Sequence, residues 1–357
     1  MRLPWIAALL PGWLLLSLLG SAQADTLWEL PARQQESAVL QIYGGADYAA
    51  IAPLLQAYQG AYPSVRLLYR EFGTQELYHR FLAQLPRAPD LVMSSAMDLQ
   101  FKLVNDGHAQ AYRSAQTQAL PDWARWRNEI FGITYEPAVM VINSGFLDNE
   151  TLPSSRAELI DLIRRKGDQV RGRIGTFDIE KVGLGYLVWS HDNLRTASNG
   201  RLLESFSLHD ARLFNSSAAM LQQVAEGQIV IAYNVLGSYA HAWARQYPVL
   251  NVIMPSDYTT VIMRSAFIPR AAENTLDAQR FLDFMLSLQG QQILADQSSL
   301  YPIREEVSGE TGAQKLRLSN NSPLRPVPLG VSLLVLTDGM KRSLALEEWR
   351  DAFGARE

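Results

Sequence analysis

The sequence predicts an α/β protein of two lobes built on mainly parallel sheets, and three observations carry that prediction. Short apolar runs bounded by Gly, Pro and polar residues alternate with stretches of helical periodicity, the pattern of strand–helix–strand units. The alternation runs from Val39 to Val104 and starts again after Asn143. The chain has 357 residues, long for a single compact core.

Taken in order, Arg2 is the only charge before Asp25, and Trp5 to Leu19 is apolar apart from Pro11, Gly12 and Ser17. Ala22-Gln23-Ala24 has the small-x-small form of a cleavage site. Residues 1–24 therefore read as a secretory signal peptide, its apolar part short of the ~20 residues a spanning helix needs. The exported remainder is expected to be soluble. Asp25 to Glu36 reads as a polar, poorly structured lead-in. Val39–Tyr43 is a strand ending at Gly44-Gly45. Ile51, Leu54, Leu55 and Tyr58 recur at helical spacing, and Val65–Tyr69 is a second strand. Gly73-Thr74 opens a helix carrying Leu77, Phe81, Leu82 and Leu85, stopped by Pro86 and Pro89. Asp90–Met93 is a third strand, and Leu99–Val104 a short helix.

Ala138–Ile142 is an apolar, β-branched-rich run between Pro137 and Asn143-Ser144-Gly145, too short for a helix, and reads as a buried strand. The polar Thr134-Tyr135-Glu136 before it suits a chain leaving one lobe for the other. Ser154 and Ser155 can cap a helix bearing Leu159, Leu162 and Ile163. Then come a strand at Arg173–Thr176, a helix starting near Lys181, a helix over Ala218–Ala225, and a strand over Ile229–Tyr233. Asn234 to Ser238 begins the next helix. Val249–Met254 and Thr260–Met263 read as strands, and Ala278–Gln292 as one amphipathic helix. Ser308–Pro328 is polar and Pro-rich, hence a surface connection, and Leu344–Phe353 a closing short helix.

Composition excludes several classes. With 0 cysteines there is no disulfide, thiol catalysis or cysteine metal site. A net charge of −4 with scattered basic residues leaves no nucleic-acid or membrane-surface footprint. His79, His108, His191, His209 and His241 show no metal-ligand spacing. Neither a G-x-S-x-G elbow nor a P-loop is present, and Gly183-Leu184-Gly185 is too short for a dinucleotide fingerprint. No motif argues for an enzyme, a cofactor or a metal.

What recurs is a strand, a polar loop of small residues, and a helix. It occurs at Tyr43-Gly44-Gly45, at Ser94-Ser95-Ala96-Met97, at Gly175-Thr176-Phe177-Asp178, and from Tyr233-Asn234 to Ser238-Tyr239. In open α/β sheets ligands bind at the carboxyl ends of strands, and helix N-termini favour anionic groups there. Taken singly, each loop serves equally well as a helix cap. Four of them, divided between two lobes, predict a shared cleft.

With those residues assembled, the chain resembles the type II periplasmic solute-binding proteins of ABC transporters, in the ferric-iron-binding-like branch that also holds phosphate-ester binders and a phosphoglycerate-transport regulator. The resemblance rests on Leu40-Gln41-Ile42-Tyr43-Gly44, Asp90-Leu91-Val92-Met93-Ser94-Ser95, Thr134-Tyr135-Glu136-Pro137-Ala138, Ile231-Ala232-Tyr233-Asn234 and the Ala278–Gln292 helix. It implies a two-lobed fold, with two mixed or parallel sheets joined by two crossing strands at Ile133–Asn143 and roughly Val249–Met263. One lobe would comprise 25–135 and 260–307, the other 136–259, with 308–357 an extension packed on both. It implies a monomer in the periplasm that captures a small solute by cleft closure and delivers it to an ABC permease. Iron-binding members use two adjacent tyrosines after the strand matching Ile229–Tyr233. Here Asn234, Ser238 and a lone Tyr239 stand there, so the expected solute is an anion, a phosphorylated metabolite or a carboxylate. A ferric-ion binder, and an accessory protein that signals to a sensor kinase, stay open as alternatives. The expected ligand contacts are Tyr43, Gly44, Gly45, Ser94, Ser95, Met97, Tyr135, Glu136, Thr176, Asp178, Asn234, Ser238 and Tyr239.

Overall fold

A computed structural model describes residues 26–84, 88–148, 150–195, 198–298, 300–309, 316 and 322–354. The expected signal peptide lies outside these residues. Among the described residues no helix is long and apolar enough to cross a membrane.

The strands gather into two mixed sheets. The first holds β1 (Thr26–Leu30), β2 (Ala38–Gly44), β3 (Val65–Glu71), β4 (Leu91–Ser94), β5 (Arg125–Trp126), β6 (Ile130–Gly132) and β13 (Ser265–Phe267), in the order β1-β3-β2-β4-β13-β6-β5. β2 lies parallel to both β3 and β4, and Leu40, Ile42 and Tyr43 are fully buried. A near-continuous apolar run is what a parallel strand covered on both faces requires. Helices α1 (Tyr48–Ala61), α2 (Thr74–Ala83) and α3 (Met97–Asn105) follow β2, β3 and β4. The expected lead-in is instead partly strand: residues 26–30 form β1, antiparallel to β3.

The second sheet holds β7 (Glu136–Asn143), β8 (Ile174–Phe177), β9 (Arg212–Phe214), β10 (Ile231–Leu236), β12 (Thr259–Ile262) and β14 (Leu324–Pro326), with β11 (Leu250–Ile253) paired to β7. β14 corrects the reading of Ser308–Pro328 as mere connection, because it pairs in parallel with β12. β10 runs past the expected strand end at Tyr233. Its register shifts between Ala232 and Val235, where Asn234 takes a φ of 63°. Such a bulge needs one residue in the left-handed region, which Asn tolerates. Asn234 is therefore inside a strand, not at a helix start. The expected helix Ala278–Gln292 is two, α10 (Thr275–Leu286) and α11 (Leu288–Gln297). Ser287, extended at ψ 158°, caps the second by accepting the Gly290 N–H.

The chain passes between the sheets at Ile133–Tyr135 and at Met263–Arg264, and the two passages are stitched together. The Ile133 N–H donates to the Arg264 carbonyl at 2.7 Å, and the Arg264 N–H to Thr134 Oγ1 at 2.9 Å. β11 and β12 both belong to the second sheet, so the second crossing is shorter than the expected Val249–Met263. A third passage runs beside them, with the Tyr135 N–H on the Tyr301 carbonyl at 3.0 Å. Buried Gln291 ties all this to α11, donating to the Ile133 carbonyl and accepting the Ile303 N–H.

Two further features hold the second lobe. Arg156, from α5 (Arg156–Lys166), is buried and fully engaged by the Tyr233 hydroxyl (2.7 Å), Asp192 (3.0 Å), Asp257 (3.1 Å) and the Tyr258 carbonyl (2.8 Å). A buried charge persists when all its donors are met. The C-terminal segment then visits both lobes. Leu329 donates its N–H to the Trp123 carbonyl, Leu334–Thr337 packs on α3, and a helix over Gly339–Gly354 packs on α7 (Ser198–Leu208). That last helix is longer than the expected Leu344–Phe353. Its apolar anchor is Trp349, 1% exposed, edge-on to Trp189 at 4.9 Å.

Trp349→Ala is expected to destabilise the protein by about 3–5 kcal/mol, the usual cost of removing a buried aromatic. Urea unfolding followed by tryptophan fluorescence and circular dichroism would measure it.

Candidate functional site

A cavity of about 150 Å³ lies between the lobes. Gly45, Asp47, Glu71, Thr74 and Ser95 line it from the first lobe, Phe177, Ser216, Ser217, Leu236 and Tyr239 from the second, and Arg264 from the crossing. At the roughly 30 Å³ that each water takes in the liquid, it has room for about five, so it suits a small metabolite.

The walls are mostly helix starts. α1 and α2 begin there, as do α8 (Ser217–Ala225) and α9 (Gly237–Gln246). Val182 and Leu184, at the start of α6 (Gly183–Arg195), also line the cavity. The first N–H groups of a helix lack intrahelical partners and carry the positive end of its dipole. In α2 and α9 no N-cap side chain takes them up, because Gly73 and Leu236 stand at those positions. Two starts are already served: Ser216 Oγ accepts the Ala219 N–H at 3.1 Å, and Glu71 Oε2 accepts the Tyr48 N–H at 2.8 Å.

Arg264 is the cavity's one basic residue among those lining it. It is 2% exposed. Its Nη2 donates to the Tyr239 hydroxyl at 3.1 Å, while Nε and Nη1 have no hydrogen-bond partner. Burial works against its charge, but Tyr239, Glu136 and Asp47 outweigh burial and hold its pKa above the ordinary value. Glu136 is fully buried nearby. Burial raises its pKa, and Arg264, the Ser238 and Thr134 hydroxyls and the Ser238 N–H oppose the rise. Tyr239 also faces the backbone N–H of Asp47, so this second-lobe phenol touches both the crossing and the first lobe. Its own pKa is raised, chiefly by burial.

The structure brings together some of the sequence-predicted residues. Gly45, Ser95 and Tyr239 line the cavity, and Glu136 and Ser238 sit behind Arg264. The others have different surroundings. Tyr43 packs edge-on against Phe72 in the core. Gly44 is needed for packing, since a Cβ there would lie 2.0 Å from the Tyr69 hydroxyl. Ser94 Oγ accepts the Ala96 N–H, Met97 Sδ the Met263 N–H, and Asp178 the Glu180 N–H while pairing with Lys181. Asn234 Nδ2 donates to Asp192 at 3.0 Å, within the Arg156 network. Tyr135 lies in a small second cluster with Val261 and Tyr301, and Thr176 is buried in β8. Arg264, Asp47, Glu71 and Thr74 were not anticipated. The signal for Arg264 was a lone cation inside an apolar run, Val261-Ile262-Met263-Arg264-Ser265-Ala266-Phe267-Ile268.

The lobes also touch directly beside the cavity. The Leu184 N–H donates to Thr74 Oγ1 at 3.2 Å. A Cβ on Gly183 would lie 3.0 Å from both Ala96 Cβ and Leu99 Cδ1, so glycine permits this approach. Arg342, from the C-terminal helix, reaches Gln75 of the first lobe at 3.5 Å and stacks on Tyr186 of the second at 4.1 Å. Asp98 is buried near them. Burial pushes its pKa up to about 6, with the Leu99 N–H and Arg342 opposing.

The sequence matches the family model described as bacterial extracellular solute-binding protein over residues 40–297. A structure of the substrate-binding protein of an ABC transporter from Agrobacterium tumefaciens is similar, with 35% identity and a TM-score of 0.88, covering 92% of this chain and 99% of that one. AfuA from Actinobacillus pleuropneumoniae, solved with fructose-6-phosphate, has a TM-score of 0.75 at 15% identity, covering 90% and 100%. Iron-bound HitA from Pseudomonas aeruginosa has 0.70 at 18%, covering 88% and 99%. None of the curated proteins matches.

Gly183→Val is expected to hold the lobes apart and weaken ligand binding while leaving each lobe folded. Small-angle scattering would show a larger radius of gyration than the parent's, with circular dichroism unchanged. Asp98 sets a pH dependence. The folded state keeps its proton to about pH 6, whereas the reference value is 3.8. Its contribution to stability is thus full below that value and lost as pH rises through about 6. Asp98→Asn should gain stability relative to the parent between pH 4 and 7, measured by urea unfolding across that range.

Proposed function

The chain belongs to the bacterial extracellular solute-binding proteins, periplasmic substrate-binding proteins of ABC transport with the type II fold, and from that membership we propose that it captures a small solute carrying an acidic, oxygen-rich group. That group would be a carboxylate or a phosphoryl, delivered to an ABC permease. The family's work is binding, not catalysis.

The observation that carries this reading is Arg264. A buried guanidinium with two unmet donors is costly unless something accepts from them. The uncapped start of α2 faces the same cavity and favours the same charge, while that of α9 is shared with Glu136 through the Ser238 N–H. An oxyanion would meet both needs at once. Contacts to the two lobes together are what lets a ligand favour a closed form, since only differential affinity shifts a conformational equilibrium. The lobes then swing about the stitched crossings, and the closed form is what the permease reads. A ferric ion fits this cavity less well. The Tyr239 hydroxyl already accepts from a cation and its burial disfavours the phenolate. Among the described residues no group of three His, Cys, Asp or Glu could hold a metal.

A thermal-shift screen of the purified protein tests this, with inorganic phosphate, glycerol phosphate, malate, citrate, ferric citrate and neutral sugars. At 100 times Kd a native-state ligand adds about 2.7 kcal/mol. At least one acid should stabilise the protein. Response to ferric ion or sugars alone would overturn the reading. Arg264→Gln combined with Glu136→Gln removes both buried charges together. That double variant should bind the acid about a hundredfold or more weakly, in line with the about 2–5 kcal/mol of a buried charged contact.

A further inference from the structure

We propose that the captured acid also carries an amine, and that Asp47 and Glu71 receive it at the first-lobe wall of the cavity. This rests on the reading of Arg264 as the acid-binding group and adds the other end of the ligand.

The charges around the cavity do not balance. Glu76 is paired with Arg80 at 3.2 Å. Arg264 feels two carboxylates, Glu136 and Asp47, and a third, Glu71, lines the same cavity beside Asp47. One cation against three carboxylates leaves a surplus of negative charge. Among the described residues no salt bridge reaches Asp47 or Glu71. A simple anion would enter a cleft whose summed side-chain charge opposes it.

The two surplus carboxylates are also held in place. Glu71 Oε2 accepts from the Tyr48 N–H at 2.8 Å and from Trp28 Nε1 at 3.2 Å, and the Trp28 ring stacks on Tyr48 at 4.2 Å. Oε1 has no partner. Because Glu71 serves the start of α1, the N-cap residue Asp47 makes no capping hydrogen bond with its side chain. Glu71 is half-buried, and its pKa is raised by burial and by Asp47. Such a pair gains from an added positive charge, whereas a hydroxyl brings hydrogen bonds without relieving the repulsion.

An independent observation places an acceptor in the same cavity. Arg264 is almost wholly buried and lines it with two unpartnered donors. Donors at the crossing and acceptors at the wall of α1 sort the ligand into an oxyanion end and an ammonium end. In a cavity of about 150 Å³ both ends must belong to one compact molecule, an amino acid or an aminoalkyl phosphate or phosphonate.

Titration calorimetry on the purified full-length mature protein tests this with matched probes. O-phosphoethanolamine is compared with ethyl phosphate, and β-alanine with propionate. The amine-bearing member of at least one pair is expected to bind tenfold or more tightly than its amine-free partner. Asp47→Asn should shrink that ratio below threefold, and Glu71→Gln should do the same while keeping the Tyr48 and Trp28 contacts through its amide oxygen. Amine-free probes that bind as well as their partners would overturn the inference and leave the acid-binding reading standing, as would a ratio unchanged in both variants. If none of the four binds and the Arg264→Gln, Glu136→Gln protein behaves like the parent with every acid screened, the acid-binding reading falls and takes this inference with it.

Discussion

The buried guanidinium of Arg264 is the constraint on which the rest of the structure depends. It sits where the chain crosses between sheets, and its backbone is bonded on both sides to the other crossing, through Ile133 and Thr134. Its side chain is charged, buried and only partly satisfied within the protein. Glu136 lies beside it for the same reason: an isolated cation in this place would be prohibitively desolvated. Tyr239 brings the second lobe to the same point. A hinge is usually a place where chains bend with little chemistry of their own. On the proposed function the hinge and the ligand-facing charge would be the same residue, and ligand contact and lobe geometry would share one set of hydrogen bonds.

Glycines and small residues do the complementary work at the edges of the cleft. Gly44 makes room for the Tyr69 hydroxyl, which donates to the Ala46 carbonyl at 2.5 Å and fixes the loop that carries Gly45 and Asp47. Gly183 lets a helix of the second lobe lie against Ala96 and Leu99. The cavity is thus shaped from packing at its rim and from charge at its floor. The Arg156–Asp192 network shows the opposite use of buried charge. There every donor is met inside the protein, and the network stiffens one lobe.

Much of the fold was legible because strands and helices announce themselves by period. β2, β3, β4 and β7 are apolar runs with clear stops, and α5 has its Ser155 cap in view. Elements whose stability comes from a distant partner were not legible. β1 has exposed residues along most of its length and exists because β3 offers an edge. β14 is three residues in a Pro-rich stretch and exists because β12 does. The site divides in the same way. Loops after strands pointed to Gly45, Ser95 and Tyr239. Sequence alone gives no way to see that Asn234 turns inward to Asp192, since a left-handed bulge decides its direction. Arg264 was visible as an anomaly, one cation in an apolar run, and a run read as ending at Met263 hid it.

The C-terminal segment leaves the second sheet at Pro326, lies on the first lobe through Thr337, and returns to the second as a helix anchored by Trp349. A tether of this kind alters capture before any solute arrives. Apparent affinity equals intrinsic affinity scaled by the fraction of empty protein already in the binding-competent form, so a one per cent population weakens Kd about a hundredfold and a ten per cent population about tenfold. Under the proposed function, Arg342, in reach of both Gln75 and Tyr186, would bias that fraction toward the form in which both contacts are made. The same bias would oppose release of the solute, so the tail's stiffness would set a compromise between scavenging at low concentration and rapid hand-over.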